Sequence, residues 1–318
     1  MSSTALSCRH AFTATLIDAA RVDERIYAIS SDSKGSVTLG DFEKALPKQF
    51  VEVGIAEQDA VGIGAGLAKS GKRVFVCGPA CFYSARSLEQ VKVDVAYASS
   101  DVKIIGISGG VSYGALGSTH HSLHDLAVLR TFPGLSVFLP CDNFQTAAIT
   151  RYLATHSDPA YVRIGRGPVA DVYDAGMAAS FVPGKAVTLH EGNDCTIVAA
   201  GEMVQPSLGA ALLLEKEGIG VRLLDAWSIK PLDAGAIELA ARETGFIFAV
   251  EEHSRYGGLG SAVAEVVVQS CPVPVRILGF PDEWAPAGSS AELFDHYGFT
   301  PRKLADRIRR ELSSKMAP

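Results

Sequence analysis

The sequence predicts an α/β protein of two domains, the first larger than the second. Short apolar segments of strand length alternate with longer segments in which apolar residues recur at helical spacing. The chain has 318 residues, of which 47% are hydrophobic and 20% are charged, which is enough for two ordinary cores. A glycine- and proline-containing stretch without clear periodicity, residues 169–185, divides the chain. We therefore expect one domain at 1–168 and another at 186–318, joined by this linker.

Strand and helix alternate through the first domain after an opening amphipathic helix. The apolar pattern predicts strands at 25–29, 73–77, 102–107, 135–139 and 160–164, and helices over 4–21, 84–98 and 144–156, with a further helix beginning near Glu57. Consecutive strands separated by helices pair in parallel, because a parallel pair needs a long crossover. The polar residues 41–50 are expected to be a connection.

The second domain repeats the alternation on a smaller scale. We expect strands at 195–200, 221–225, 246–250 and 275–278, and helices at 206–216, 233–243, 261–269 and 301–314. The GGLG sequence that follows EEHSRY is a lone glycine pattern and is best interpreted as a strand-to-helix turn. Glu251, Glu252 and His253 are assigned to packing or an interface.

Composition excludes several kinds of partner. A net charge of -6 and a pI near 5.8 give no electrostatic basis for binding nucleic acid. No apolar run approaches the ~18 residues of a membrane span, and no signal peptide is visible at the N-terminus. The six cysteines are scattered, and the four-residue spacing of Cys77 and Cys81 has no second pair that would complete a zinc site. We expect a cytoplasmic protein with reduced thiols and no membrane or metal site of its own.

The most informative stretch is VEVGIAEQDAVGIGAGLAKSG, residues 51–71. It has the pattern of a short strand, a turn and a helix that begins at Glu57. Its helix contains several glycines, each costing about 1 kcal/mol relative to alanine, which suggests close backbone packing or a ligand against the helix. A glutamate beside this apolar glycine face would be poorly hydrated, so we expect it to hold or share a proton near neutral pH.

Several other polar residues occupy positions typical of ligand contacts. Asp32 and Ser36 lie in a polar turn after the first strand, where α/β sheets place ligand loops. Arg9 lies near a helix start, where a cation opposes the helix dipole, so it is either a solvated surface residue or an anion ligand. Arg166 follows a strand beside glycines, and its guanidinium fork suits phosphate. For Arg163 alone we favour a charge at the sheet edge.

Two groups of rings are further candidates. Phe82 and Tyr83 fall at a loop-to-helix junction and either fill the core or present a face to a flat ring. His120, His121 and His124 invite a metal interpretation, but the segment before them is a loop without an HExxH pattern, so metal binding is not favoured.

Four segments together resemble one family. GIAEQ, CFYSARSLEQV, GSTHHSLHDLAVLRTFPG and LPCDN look like the pyrimidine-binding half of transketolase, and the resemblance covers nearly the whole chain. It implies a parallel-sheet pyrimidine-binding domain followed by a smaller, mixed-sheet C-terminal domain. It also implies that Glu57 bonds the aminopyrimidine of thiamine diphosphate, that Phe82 or Tyr83 packs on that ring, and that Asp32 belongs to the cofactor site.

The same resemblance assigns residues to the substrate. It implies that His120 faces cofactor and substrate and assists proton transfer, and that Arg9, Ser36 and Arg166 form a phosphate grip. His121 and His124 are then expected to be helix-start or surface residues.

The histidine loop departs from the usual family pattern. Leu116 and Ala115 stand where transketolases usually carry acids, and Ser108 occupies the position of a second histidine on the substrate side. A leucine cannot accept the hydrogen bond of a sugar hydroxyl. We therefore expect a donor or acceptor that differs from the ordinary pentose and hexose phosphates.

A second departure is the absence of the GDG motif that marks the diphosphate and Mg²⁺ site in the family. The resemblance then implies a split enzyme, in which an N-terminal transketolase subunit supplies that site in an α2β2 assembly. The expected reaction is transfer of a two-carbon ketol unit from a ketose to an aldehyde, with sugar phosphates as the expected substrates. Two alternatives stay open: the β chain of a 2-oxoacid dehydrogenase decarboxylase component, and a catalytically silent member of the fold.

Overall fold

Two β-sheets, one centred in each half of the chain, form the frame of the protein. The computed structural model describes residues 6–174, 176–177 and 181–316. The predicted α/β architecture, with a parallel first sheet and a mixed second sheet, is confirmed. Residues 4 and 5 of the first predicted helix, and residues 175 and 178–180 of the predicted linker, lie outside the described residues.

The first half of the chain supplies six mutually parallel strands. They are β1 Ile26–Ser30, β2 Phe50–Glu52, β3 Arg73–Pro79, β4 Val102–Ile107, β5 Ser136–Phe138 and β6 Ala160–Ile164. Their order across the sheet is β5–β6–β4–β3–β1–β2. The three strands β3, β4 and β6 are buried at every position, as expected for parallel strands covered by helices on both faces.

Eight helices accompany these strands. They are α1 Cys8–Val22, α2 Lys34–Val37, α3 Gly40–Ala45, α4 Glu57–Lys69, α5 Ala80–Tyr83, α6 Leu88–Gln90, α7 Asp125–Leu129 and α8 Asn143–Thr155. Helix α1 packs against α8, and α4 packs on β3. The helix predicted over 84–98 is instead α6 continued by a π-helical segment, Val91–Tyr97.

The second half forms a smaller sheet and contributes one strand to the first. Its strands are β7 Val187–His190, β8 Cys195–Ala199, β9 Val221–Asp225, β10 Ser228–Lys230, β11 Ile247–Ser254 and β12 Val275–Phe280. Its helices are α9 Val204–Glu215, α10 Ala234–Thr244, α11 Leu259–Ser270, α12 Ser290–Tyr297 and α13 Pro301–Met316. The second sheet has the order β12–β11–β8–β9–β7, with β7 antiparallel to β9.

Strand β10 has no counterpart among the predicted strands, because three residues are too short to show a period. It pairs antiparallel with β5 and so extends the first sheet. The neighbouring Trp227 is 1% exposed, and its ring centroid lies 5.5 Å from that of Phe138 in the first core. The second half of the chain therefore completes the packing of the first.

The position of Arg163 in the sheet differs from the one expected from the sequence. The sequence favours a charge at the sheet edge, but β6 lies between β5 and β4, and Arg163 is 5% exposed. Its guanidinium lies 3.6 Å from Asp125 and 3.5 Å from Glu252. A cation at this depth requires such partners.

The LPCDN turn anchors the linker between the two sheets. Asp142 caps α8 and accepts backbone N–H bonds from Val172 and Tyr173 at 2.9 and 2.7 Å. The Tyr173 hydroxyl donates to Asp225 at 2.6 Å, and the Gln145 side chain donates to the same carboxyl oxygen at 2.8 Å. This buried network joins α8, the linker and β9.

Helix length, cysteine state and the grouping of potential metal ligands can also be described. None of the helices within the described residues is both long and apolar enough to cross a membrane. None of the six cysteines, all of which lie within the described residues, forms a disulfide, and five of them are buried. The described part of the chain contains no group of three or more side chains placed to hold a metal ion.

Helix α4 offers a matched test of the glycine packing. A Cβ at Gly64 would lie 2.9 Å from Val76 Cγ2, whereas a Cβ at Gly62 would meet nothing within 4 Å. We expect Gly64→Ala to destabilise the isolated chain by about 1–3 kcal/mol and Gly62→Ala to stabilise it by up to about 1 kcal/mol. Urea denaturation of both variants measures the difference, and equal effects at the two positions would contradict this packing.

Asp225 provides a pH test. Burial raises the pKa of its carboxyl to about 7, against about 3.9 in an unfolded chain. At pH values between these two pKa values, unfolding releases a proton from Asp225. The protonated carboxyl therefore stabilises the fold at low pH, and this stabilisation is lost as pH rises through about 7. Asp225→Asn resembles the protonated form. Relative to wild type, we expect its free energy of unfolding to rise by on the order of 1 kcal/mol or more between pH 5 and pH 8.

The measurement is urea denaturation of both proteins at the two pH values. Asp194→Asn, at an exposed position in the same half of the chain, is the control. A difference between Asp225→Asn and wild type that stays constant with pH would contradict the proton assignment.

Candidate active site

The candidate residues collect at one edge of the first sheet. Because parallel strands end at a common edge, residues that follow them are brought together from distant parts of the chain. The residues that follow β1, β2, β3, β4 and β6 at this edge are Asp32, Glu57, Phe82, His120 and Arg166. Arg9 joins them from the start of α1.

Glu57 is the first residue of α4 and is 3% exposed. The predicted burial of this carboxyl is therefore confirmed. The sequence did not predict its partner: Arg86 Nη1 donates to Glu57 Oε2 at 2.7 Å. The Arg86 side chain is 48% exposed, so the pair lies at the mouth of the buried pocket.

Phe82 and Tyr83 have different surroundings. Tyr83 is 0% exposed, and its hydroxyl lies 3.1 Å from Ser31 Oγ, so it fills the core. Phe82 is half-buried, and the Arg86 guanidinium lies 4.6 Å from its ring centroid. Of the two rings, only Phe82 is partly accessible.

Three rings connect the buried acid to the arginines, and we call them the aromatic series: Phe82, His120 and Tyr113. The His120 ring lies 5.3 Å from Phe82 and 5.3 Å from Tyr113, in edge contact with both. The Arg166 guanidinium lies 5.0 Å from the Tyr113 centroid. Because Arg86 contacts both Glu57 and Phe82, a series of contacts thus runs from Glu57 to Arg166.

The histidines separate in the structure. His120 is half-buried, with Nδ1 2.9 Å from Thr119 Oγ1. His124 is exposed and precedes α7, as expected for a helix-start residue. His121 is a correction: it is 5% exposed rather than on the surface, its Nε2 lies 3.2 Å from the Gly114 carbonyl oxygen, and burial lowers its pKa.

Arg9, Ser36 and Arg166 lie close together. Arg9 Nη1 donates to the Ser36 carbonyl at 2.6 Å. Burial lowers the pKa of Arg9, and the nearby charge of Arg166 lowers it further. Arg9 Nε and Arg166 Nη1 are buried without a hydrogen-bond partner in the described part of the chain. Buried donors without partners beside two like charges are the features of an anion site.

Asp32 and Ser108 both have left-handed backbone, with φ of 51° and 58°. Left-handed backbone at residues other than glycine is strained, and such strain concentrates at functional sites. Asp32 is exposed, and its N–H donates to Glu52 Oε1 at 2.7 Å. Ser108, expected to face the substrate, is 0% exposed, and its hydroxyl lacks a hydrogen-bond partner among the described residues. Its assignment to the substrate side stays a prediction.

The second half of the chain holds the histidine loop in place. Glu252 Oε1 accepts the Val111 N–H at 2.8 Å, and Ser118 Oγ donates to the Ala285 carbonyl at 2.7 Å. Gly114 is close to the same C-terminal segment, since a Cβ there would lie 2.7 Å from the Gly288 carbonyl oxygen.

A buried cluster of acids surrounds Arg163 beneath this loop. Burial, together with the nearby charge of Glu202, raises the pKa of Glu252 to about 8. Burial likewise raises the pKa of Glu202. Glu251 instead accepts the backbone N–H groups of Leu259 and Gly260 at the start of α11, which supports the strand-to-helix interpretation of GGLG.

Sequence reasoning missed Arg86 and Tyr113. Arg86 is part of the CFYSARSLEQV segment, four residues after Phe82, but spacing alone does not show that its side chain turns back to Glu57. Tyr113 lies in a loop without periodicity, so nothing in the pattern indicated its contacts. The aromatic character of Tyr113 in a glycine-rich loop was the available signal.

This geometry defines a member of the transketolase family. The family model described as "Transketolase, pyrimidine binding domain" matches residues 4–170, and "Transketolase, C-terminal domain" matches residues 184–304. The chain therefore belongs to this thiamine diphosphate-dependent family. Its two matched domains are those of the second subunit of a split transketolase.

Subunits of split transketolases are among the relatives that it matches. The chain is 60% identical to a subunit of the apulose-4-phosphate transketolase of Phocaeicola vulgatus, over 94% of this chain and 95% of the relative. It is 35% identical to a 6-deoxy-6-sulfo-D-fructose transketolase subunit of a Clostridium species, over 93% and 91%. A solved split gene transketolase, described as an inactive beta4 tetramer, superposes with a TM-score of 0.88 at 37% identity, covering 97% of this chain and 99% of that one.

The ion pair between Glu57 and Arg86 can be measured by a double-mutant cycle. Since Arg86 is half exposed, solvent screens the pair, and we expect a coupling free energy of about 1 kcal/mol. The variants are Glu57→Gln, Arg86→Met and their combination in the isolated chain, measured by urea denaturation at low and high salt. The coupling should shrink with salt. Additive effects of the two substitutions would contradict the pairing.

Proposed function

We propose that this chain is the ring-activating subunit of a thiamine diphosphate-dependent transketolase that moves a two-carbon ketol unit from a phosphorylated ketose to an aldehyde. One observation carries the proposal. The buried carboxyl of Glu57 lies at one end of the aromatic series, and two arginines with unpaired buried donors lie at the other. Such a site suits a ring at one end and a phosphate at the other.

The residues around Glu57 fit an aminopyrimidine. Glu57 offers a shielded carboxyl for a ring nitrogen, and Phe82 offers an aromatic face for stacking. Asp32 lies at the same sheet edge as a further cofactor contact. When bound, thiamine diphosphate supplies the electron sink for carbon–carbon bond cleavage. Glu57 holds or transfers a proton at the ring nitrogen, which is general acid–base work in a site largely closed to water.

In the isolated chain Arg86 contacts both the carboxyl and the aromatic ring of this proposed site, since it donates to Glu57 and lies over the Phe82 ring. Its hydrogen bond engages one carboxyl oxygen, Oε2, and leaves Oε1 for a ring nitrogen. Phe82 likewise has a second ring face. The cation can therefore orient the carboxyl while the ring binds beside it.

His120 and the arginines serve the substrate. The half-buried imidazole of His120 is tethered through Nδ1, which leaves Nε2 for a substrate oxygen. It orients or polarises that oxygen and moves a proton there. Arg9, Ser36 and Arg166 hold the phosphate, Ser36 by fixing Arg9 through its carbonyl.

The relatives suggest a substrate class. The 60% identical relative is named for apulose-4-phosphate, and Leu116 is 54% exposed where transketolases usually carry an acid. An apolar residue there does not recognise a sugar hydroxyl. A 4-phosphorylated ketose of the apulose type is therefore the first substrate to test, ahead of ordinary pentose and hexose phosphates.

A partner completes the proposed enzyme. We propose that it is an N-terminal transketolase subunit that carries the GDG motif, holds the diphosphate and Mg²⁺, and assembles as α2β2 in the cytoplasm. The relatives named as subunits, and a homologous beta4 tetramer that is described as inactive, support the need for such a partner.

The experiment combines the chain with the GDG-bearing subunit encoded in the same genome, Mg²⁺ and thiamine diphosphate, and measures ketol transfer from apulose 4-phosphate. Glu57→Gln should lower kcat by about 10²-fold or more. Asp59→Asn, an exposed acid in the same helix turn, is the matched control and should retain activity. Full activity of Glu57→Gln would remove Glu57 from the mechanism.

The same assay separates the alternatives. Decarboxylation of a 2-oxoacid in place of ketol transfer would favour the dehydrogenase component. Failure to bind thiamine diphosphate with the partner present, measured by calorimetry, would favour a catalytically silent chain.

A further inference from the structure

We propose that Tyr113 sets the substrate length, by fixing the separation between His120 and the phosphate grip. This inference rests on the proposed function and deepens it. The resemblance to transketolases assigns no role to Tyr113, and its importance comes from its contacts. It lies between the two groups that would hold opposite ends of one substrate.

The Tyr113 ring has a neighbour on each of two sides. Its centroid lies 5.3 Å from the His120 ring at an interplanar angle of 68°, and 5.0 Å from the Arg166 guanidinium. His120 and Arg166 therefore contact the same phenol. The distance between the proton-transfer group and the phosphate anchor is set by the width of that one ring.

One arginine of the phosphate grip is fixed in place. Arg9 Nη1 donates to the Ser36 carbonyl at 2.6 Å, and Arg9 Nε is buried without a hydrogen-bond partner within the described residues. Arg166 presents a buried, unpaired Nη1 to the same region. A phosphate held by both guanidinium groups cannot move outward to make room for a longer carbon chain.

Tyr113 is also held on the protein side. It directly precedes the 3₁₀ turn Gly114–Thr119, and that turn is held by the Ala285 carbonyl and the Gly288 backbone. Since the second half of the chain fixes the turn, the phenol has little freedom to withdraw. The geometry thus favours a ketose phosphate with few carbons between the reacting carbonyl and the phosphate.

A series of inert ligands tests this without turnover. The probes are open-chain polyol phosphates of three to six carbons: glycerol 3-phosphate, erythritol 4-phosphate, ribitol 5-phosphate and sorbitol 6-phosphate. Calorimetry on the assembled enzyme gives a Kd for each. We expect wild type to bind the four-carbon ligand at least about tenfold more tightly than the six-carbon ligand, the scale of discrimination that pocket fit gives.

Two substitutions separate ring size from the hydroxyl. Tyr113→Val removes the ring, and we expect it to reduce the preference for the four-carbon over the six-carbon ligand by about tenfold. Tyr113→Phe keeps the ring and should keep the preference. In the transfer assay, Tyr113→Val should raise KM for the 4-phosphate while improving kcat/KM for longer ketose phosphates.

A matched control exists in the same chain. Tyr256 is exposed and also lies against an arginine, with the Arg255 guanidinium 5.3 Å from its centroid. Tyr256→Val should leave the length preference unchanged. An equal loss of affinity for all four ligands in Tyr113→Val, or no length preference in wild type, would overturn the inference.

Failure of this inference can be told from failure of the proposed function. Absence of ketol transfer together with an intact length preference would reject the transketolase activity and keep the role of Tyr113. Transfer activity with no dependence of affinity on ligand length would reject the role of Tyr113 and keep the transketolase activity.

Discussion

The buried guanidinium of Arg163 is the constraint on which the site depends. It lies at the end of a central strand, 5% exposed, with Asp125 on one side and Glu252 on the other. A buried cation is stable only with such partners, and removing one would leave the others uncompensated. Because Glu252 comes from the second sheet and also accepts the Val111 N–H, this charge cluster joins the two halves of the chain to the histidine loop.

Glycines make this arrangement possible. A Cβ at Gly109 would lie 2.0 Å from Arg163 Nε, and one at Gly110 would lie 2.1 Å from Glu252 Cδ. Side chains at either position would push the loop away from the cluster. The loop can therefore approach the charges closely, and its outer surface is then free to carry Tyr113 and His120. The glycine content of the loop follows from the buried charges beneath it.

The sequence predicted the elements with strong periodicity and the residues that follow strands. Helix α4 beginning at Glu57, strand β4 over Val102–Ile107 and the convergence of Arg9 with Arg166 all followed from local pattern or family resemblance. Properties that depend on how distant parts of the chain pack together could not be predicted. Arg163 looked like an edge residue because strand order is invisible in sequence, and His121 looked like a helix-start or surface residue because burial of a loop residue has no local signature.

The polarity of the site gives the substrate its direction. An acid stands at one end and two cations at the other, with the aromatic series between them. Aromatic walls exclude water and so strengthen the attraction between a phosphate and the arginines, because electrostatic interactions are weakly screened there. At the opposite end the Arg86 guanidinium is already engaged by Glu57, so it attracts a phosphate less than the unpaired donors of Arg9 and Arg166 do. Under the proposed function, a phosphorylated substrate therefore binds productively in one orientation, with its carbonyl towards the ring-binding end and beside His120.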